Sequence, residues 1–506
     1  LLDAPGEWYH DKAAGQLYLR TPAGDHPGKH QIEARCRDYA FMLDGRSYLT
    51  IEGFELFACT ITTDAEAGDG REWDEQGNDR YPWRRHDSLP TSHHIVLDGL
   101  DARYVSHFTD VSGHFFLQWG SNTGLNISGT DQVIQNCHVR YSAGNGIVTY
   151  GRRNRVLNNL IEDTAYAAVD NAFISTLGGA GAFDCEIAYN TGRRTGRSGI
   201  GMRQLQNTDV NRLVTRVHHN DIGFYMLQDA DGGGTYTLGQ DAKFARIDHN
   251  WFHDGPGPTC SGVYTDYSKN WIIDHNVIWN VEWGIHLEGA RDSGVVSDLC
   301  YNNTIACRTP GLSWGLGNGV MPGLVMRNNV ANCTYAGKIE QGAKEIRDNL
   351  TWDRRPGSET DPRWVDAAAG NYQLSAASPA RDKGSAVPSY STLQPGNPDI
   401  VVPAFNDPAP DGKPDLGAYE FGQPAWTAGC TLRSQPTLPA APTGLAARAT
   451  SATRVDLSWT SNSSNESGFL VERRLANGDW QPVATAAAHT SWYYDATVGR
   501  SSRYEY

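Results

Sequence analysis

Between residues 133 and 349 the apolar positions come in bursts of three to five, alternating with polar ones, and the bursts are separated by Asn, Asp or Gly. Alternation of that kind has the period of a strand, because successive side chains in an extended chain face opposite sides. The competing period, apolar at i, i+3, i+4 and i+7 over a dozen positions, is missing, which argues against stacked helices. One phrase recurs, an apolar residue, polar residues, Asn and often a further apolar residue. It reads VIQNCHV (Asn136), VLNNLI (Asn159), IAYNTG (Asn190), VHHNDI (Asn220), IDHNWF (Asn250), IDHNVI (Asn276), CYNNTI (Asn303), MRNNVA (Asn329) and IRDNLT (Asn349). The intervals are 23, 31, 30, 30, 26, 27, 26 and 20 residues. Units of this length built from short strands predict a solenoid of coils, a parallel β-helix. Asn suits the corners, since it tolerates left-handed backbone and can bond the Asn above and below.

A second phrase falls between these corners: GIVTY from Gly146, GIGMR from Gly199, GVYTD from Gly262 and GIHLE from Gly284. Alternation sends Val263, Thr265, Ile285 and Leu287 inward, and Tyr264, Asp266, His286 and Glu288 outward. Asp266 and Glu288 share one place, Gly plus four, in consecutive coils. Parallel neighbours lie ~4.8 Å apart, so their carboxyls are expected to stack near the ~5–5.5 Å of a retaining glycosidase pair. Like charges that close cannot both ionise easily, and one acid should titrate high. Arg203 holds the same place in GIGMR, where it could bind a substrate carboxylate or keep Asp266 ionised. Tyr264 and His286 stack at Gly plus two, within reach of sugar hydroxyls. Trp283 precedes the GIHLE strand as a candidate platform for a sugar ring. It is one of five tryptophans, with Trp251, Trp271, Trp279 and Trp314, in the same coils.

The segment LQDADGGGTYTLGQD carries Asp229, Asp231 and Asp241 around three glycines. It could form a catalytic loop supplying Asp231 or Asp241, a structural Ca²⁺ site, or an ordinary turn. The duplicated Asp-His-Asn phrases at Asp248 and Asp274 fall on the repeat corner and read as bend residues in preference to metal ligands.

The rest of the chain is coarser. Residues 1–92 read as an N-terminal β-rich segment, with a hairpin in EWYHDKAAGQLYLR and a first coil in Tyr48 to Thr63, followed by a polar loop over 64–92. Residues 93–351 form the β-helix core, 352–434 a closing segment, 435–444 a Pro/Ala-rich linker and 445–506 a partial β-sandwich. The fold class is therefore all-β.

Composition narrows the partners. With 58 acidic and 43 basic residues the formal charge is -15, which excludes a general affinity for nucleic acid or an anionic membrane surface. No apolar run approaches the ~18 residues of a membrane helix. Nine cysteines occur singly without a C-x-x-C pair, so zinc-ribbon and thioredoxin readings fail. The chain starts at Leu1 without a secretion signal, which is expected to have been removed or to lie outside the sequence.

The phrases RDYAFMLDGRSYLTIEGFELFACTITTD, DGGGTYTLGQD, GVYTDYSKNWIIDHNVIWNV and GIHLEG give residues 48–420 a resemblance to the right-handed parallel β-helix carbohydrate-active proteins of the pectate-lyase-like superfamily. The resemblance implies a secreted enzyme acting on a carbohydrate as a monomer, with no cofactor. By analogy with glycoside hydrolases of this fold it implies Asp266 as nucleophile and Glu288 as acid/base, with swapped roles or an inverting mechanism open. The same superfamily hosts lyases and uronan epimerases, whose chemistry would use Lys269 and Arg203 and Ca²⁺, and the fold also admits a non-catalytic sugar-binding stalk. From Pro442, APTGLAARATSATRVDLSWT, ESGFLVERR and RYEY resemble a fibronectin type III module. Such modules accompany extracellular bacterial polysaccharide-degrading enzymes. Only about 65 of the ~100 residues of such a sandwich are present, so its last strands are expected to be missing.

Overall fold

A computed structural model describes the chain except residues 1, 4–5, 12, 31, 34, 36, 38, 65–88, 106–123, 167–169, 177–180, 290–297, 309–311, 315–320, 322, 333, 337–342, 344, 395–396, 404, 433–440, 463–467, 476–477 and 488–489. Most of the polar loop expected over 64–92 thus lies outside the described residues. The chain divides into two units, Leu1–Leu432 and Arg433–Tyr506.

The first unit is a parallel β-helix. The coils stack into three long sheets of 15, 11 and 11 described strands, the first enlarged by four short extra strands, Gly129–Thr130, Gly151–Arg152, Ala182–Phe183 and Leu205–Gln206. One turn runs from Arg246–Asp248 in the first sheet to Trp251–His253 in the second and Ser261–Asp266 in the third, then returns to the first at Ile272–Asp274. Register stacks like on like. Ile134, Val156, Ile187, Val217, Ile247 and Ile273 form one inward column of the first sheet, and all are buried in the single core that fills the coils. Burial on this scale, at ~25 cal/mol per Å² of apolar surface, is what holds short strands together that would be unstable alone.

The corner Asn residues form the expected ladder. From Asn159 to Asn329, each Nδ2 donates to the Oδ1 of the next corner Asn at 2.9–3.1 Å, ending on Asn349. The same Oδ1 accepts the backbone N–H of the coil before at 2.9–3.1 Å. Asn136 is not its first rung. Cys137 holds that place and donates its N–H to Asn159 Oδ1, whereas Asn136 occupies the preceding corner position with φ 55°. The first interval is therefore 22 residues (Cys137 to Asn159). That preceding column, all left-handed, continues through Asn158, Tyr189, His219, His249, His275, Asn302, Asn328 and Asp348.

The third sheet contains a coil that the Gly-Ile/Val phrase skips. The strand Gly233–Leu238 lies between Ser198–Gly201 and Ser261–Asp266, so GTYTL from Gly234 is a further copy with Thr in second place. These strands begin with Gly because nothing larger fits: a Cβ on Gly262 would meet Ile278 Cγ2 at 2.5 Å.

The hairpin at the N-terminus pairs Trp8–Asp11 with Gln16–Leu19, and the first coil spans Ser47–Glu52, Glu55–Phe57 and Thr60–Thr62. After Leu350–Thr351 the closing segment runs back along the stack as a strap. Ser385 bonds Asn328, Ala418 bonds Thr304, Trp251 bonds Tyr419, and Gly429, Cys430 and Thr431 reach His219, Thr191 and Asn158. Among its described residues the second unit has two three-stranded antiparallel sheets around Leu457, Trp459 and Val471.

Candidate active site

Asp266 ends the strand Ser261–Asp266, and Glu288 directly follows the neighbouring strand Trp283–Leu287. The Glu288 N–H donates to Thr265 O at 3.2 Å, which continues the ladder and brings the two carboxyls side by side. They lie in hydrogen-bonding contact. The inward assignments hold: Val263, Thr265, Ile285 and Leu287 are fully buried. The outward face, however, is sheltered too. Asp266 is 8% exposed, His286 3% and Tyr264 9%, so the pair does not belong to an ordinary solvated surface.

Shelter splits the pair. Loss of solvent and the adjacent Glu288 push Asp266 up to about 7. Its one donor among the described residues is the Tyr236 hydroxyl, which reaches Oδ2 at 3.1 Å; Oδ1 receives none. Glu288 is held below the usual glutamate range, chiefly by His286, whose Nε2 lies 3.5 Å from Oε1. The Tyr264 hydroxyl adds a long contact at 3.4 Å. One proton between the carboxyls, resting on Asp266, satisfies an oxygen that is otherwise buried without a partner.

An aromatic column positions these groups. Tyr236, Tyr264 and His286 stand in register on successive strands. The Tyr264 and His286 rings stack at 4.2 Å with 4° between planes, and Trp283 meets His286 edge-on at 4.8 Å. Half-buried Trp283 thus braces the imidazole. Trp271 is core, whereas Trp251 and Trp279 pack under the strap; the Trp314 side chain lies outside the described residues.

Arg203 is separated from Asp266 by a whole coil, because Leu238 occupies the intervening Gly-plus-four place. It binds Asp170 and lies over the Tyr236 ring at 5.6 Å. Asp266, titrating high, is therefore not held ionised by it. Arg197, which the sequence patterns did not single out, is the buried hub. Its guanidinium binds Asp170, meets Asp231 at 2.9 Å and Asp229 at 3.5 Å, and lies 5.1 Å from the Tyr236 ring centre. The glycine-rich segment accordingly directs Asp229 and Asp231 at an arginine. Asp231 lies close enough to raise Asp266 by its charge. Asp241 is elsewhere, accepting from Asn270 and from the Lys243 N–H at the bridge to Lys269.

No protein-family model and no curated protein matches the chain. Among solved structures it is similar to pectate lyase Pel9A, at 16% identity over 65% of this chain and 79% of that one, with a TM-score of 0.41. It is also similar to a glycoside hydrolase, at 13% identity over 68% and 59% of the two chains, with a TM-score of 0.36.

Proposed function

We propose that the protein is a carbohydrate-active enzyme, a glycoside hydrolase that cleaves a poly- or oligosaccharide by double displacement at Asp266 and Glu288. The observation that supports this is a sheltered pair of carboxyls in contact, one titrating high and the other low. That division supplies an acid and an ionised carboxylate at the same pH. Carboxyls in contact leave no room for the water that separates an inverting pair by ~6.5–9.5 Å, which favours retention.

The order of protonation supports the swapped roles. Glu288, ionised, attacks the anomeric carbon as the glycosidic C–O bond breaks, and Asp266 gives its proton to the departing oxygen. Asp266, now a carboxylate, takes a proton from water as that water attacks the anomeric carbon, which releases Glu288 and restores the starting state. Tyr264, His286 and Trp283 hold Glu288 in place and border the sugar. Elimination would need a cation to neutralise a uronate carboxylate. Arg197 and Arg203 both bind Asp170, so the reading gives them a scaffolding role.

The test is an incubation of the full chain with a panel of polysaccharides and aryl glycosides, following reducing ends and ultraviolet absorbance together. New reducing ends with retained anomeric configuration and no absorbance gain are expected. Asp266→Asn and Glu288→Gln should each lower kcat by ~10²–10⁴-fold. Absorbance from an unsaturated uronate, or full activity in both variants, would overturn the proposal.

A further inference from the structure

The two Asp-His-Asn corners meet on a different edge of the coil from the carboxyl pair, between the first and second sheets. His249 and His275 occupy equivalent corner positions with φ 53° and 52°, and their rings stack at 4.9 Å. Each imidazole is fixed by a carboxylate behind it. His249 Nδ1 lies 2.7 Å from Asp248 Oδ2, and His275 Nδ1 lies 2.7 Å from Asp274 Oδ2.

Both carboxylates are completely buried and already paired. Arg216 Nε donates to Asp248 Oδ1 at 2.6 Å, and Arg246 clasps Asp274 at 2.7 and 2.5 Å. They are therefore acceptors, which puts a proton on each Nδ1 and, in the neutral imidazoles, leaves both Nε2 atoms with lone pairs pointing away. Those two lone pairs converge on Asp407 of the strap. Its Oδ2 lies 3.5 Å from His275 Nε2 and 4.0 Å from His249 Nε2. The three ligand atoms lie within 4.8 Å of one another.

With neutral imidazoles, three acceptors face one another at separations beyond hydrogen-bond length, an arrangement that a cation between them satisfies. Ligand bonds of ~2.0–2.2 Å in a tetrahedral shell put neighbouring donor atoms ~3.4 Å apart, close to the shorter of these separations. A carboxylate behind each ligating imidazole is the arrangement that orients histidines for a transition metal. Imidazole with carboxylate also selects the zinc class over Ca²⁺ or Mg²⁺.

We propose that His249 Nε2, His275 Nε2 and Asp407 Oδ2 bind a divalent metal ion of the zinc class. The metal clamps the strap to two successive coils. The site borders a cavity of about 260 Å³ lined by His219, Glu420, Gln423 and Trp426, which leaves room for water at a fourth position. Fixing the chain's return path is the function the site serves, independently of the chemistry at Asp266 and Glu288.

The test uses the full chain stripped with EDTA and dialysed. Titration with Co²⁺ should give one equivalent of strong visible d–d absorption, displaced by Zn²⁺, and Zn²⁺ should raise Tm. Asp407→Asn, on the partly exposed strap, and His249→Gln should each weaken Co²⁺ binding by at least ~10–100-fold, while Asp266→Asn binds as the parent does. Failure of the stripped parent to take up one equivalent, or uptake unchanged in both ligand variants, would overturn the site. The folding of each variant is checked by far-ultraviolet circular dichroism, and the two ligand variants lie in different segments, so loss of fold in one leaves the other decisive.

Discussion

At the scale of single residues, Asp266 gives up solvent and gains one donor, the Tyr236 hydroxyl, while Glu288 has His286 and Tyr264. The hydrolytic reading needs Asp266 protonated and Glu288 ionised. Activity should therefore fall as pH rises through about 7, where Asp266 loses its proton, and fall again in acid below the usual glutamate range, where Glu288 gains one. Tyr236 tunes the alkaline limb, because its hydrogen bond favours the Asp266 carboxylate. Tyr236→Phe removes a bond to a charged acceptor worth ~1.5–3 kcal/mol, so the limb of kcat/KM should move up by roughly one to two pH units. A limb that stays in place, or moves down, would show that the hydroxyl does not set this titration. The pairing of the two acids was legible from their common place in consecutive phrases. Their division of labour was not, since it depends on shelter and on which neighbour each carboxyl meets. Arg197 escaped notice because it sits just before its phrase, and Tyr236 because a Thr in second place hid its coil. Accepting any residue after the leading Gly would have found Tyr236.

At the scale of the coil, the corner Asn does work that no apolar residue can copy. Asn220 Oδ1 accepts both the N–H and the Nδ2 of Asn190, while its own Nδ2 donates to Ile187 O and Asn250 Oδ1. Every one of these groups is buried, so Asn220→Ala leaves donors and acceptors on two coils without partners. At ~1–3 kcal/mol for each buried group left unmet, the loss should be roughly 2–5 kcal/mol, measured by urea denaturation. A loss under ~0.5 kcal/mol would mean that water enters and replaces the side chain. This part of the fold was the most readable, because one hydrogen-bonding requirement repeats in every coil and forces one residue type to recur. The misplacement at Asn136 has the same root. Two adjacent corner places both favour Asn, one for its left-handed backbone and one for its amide, and the ladder tolerates Cys137 at its end, where the backbone N–H donates to Asn159 and the thiol to Gln135 O.

For the whole molecule, the least readable element is the strap. Its sequence has no period, and its route is set by side-chain contacts scattered along the stack. Tyr372, Ala418 and Tyr419 cover Val277, Trp251 and Trp279, and Leu374, Ala380 and Leu416 cover Val330. The segment therefore belongs to the first unit's core as fully as the coils do, and that unit ends at Leu432. The second unit carries its own cluster around Leu457, Trp459 and Val471, so each unit has the buried surface of an independent cooperative block. Two truncations separate these contributions. A chain ending at Leu432 should keep the first unit's melting transition within ~2 °C, because no cluster of that unit is opened. A chain ending at Thr351 uncovers these two clusters and a third, in which Val387, Tyr390 and Val402 pack with Ile272, Leu299 and Val325, and each large apolar side chain returned to water forfeits ~1.5–3 kcal/mol. With half a dozen such residues exposed, the loss reaches the ~5–15 kcal/mol that stabilises a typical domain, and this shorter chain should melt far lower or fail to fold. Scanning calorimetry of the full chain and both truncations distinguishes the cases. If the chain ending at Thr351 melted where the longer one does, the strap would be an accessory, and the coils alone would close the core.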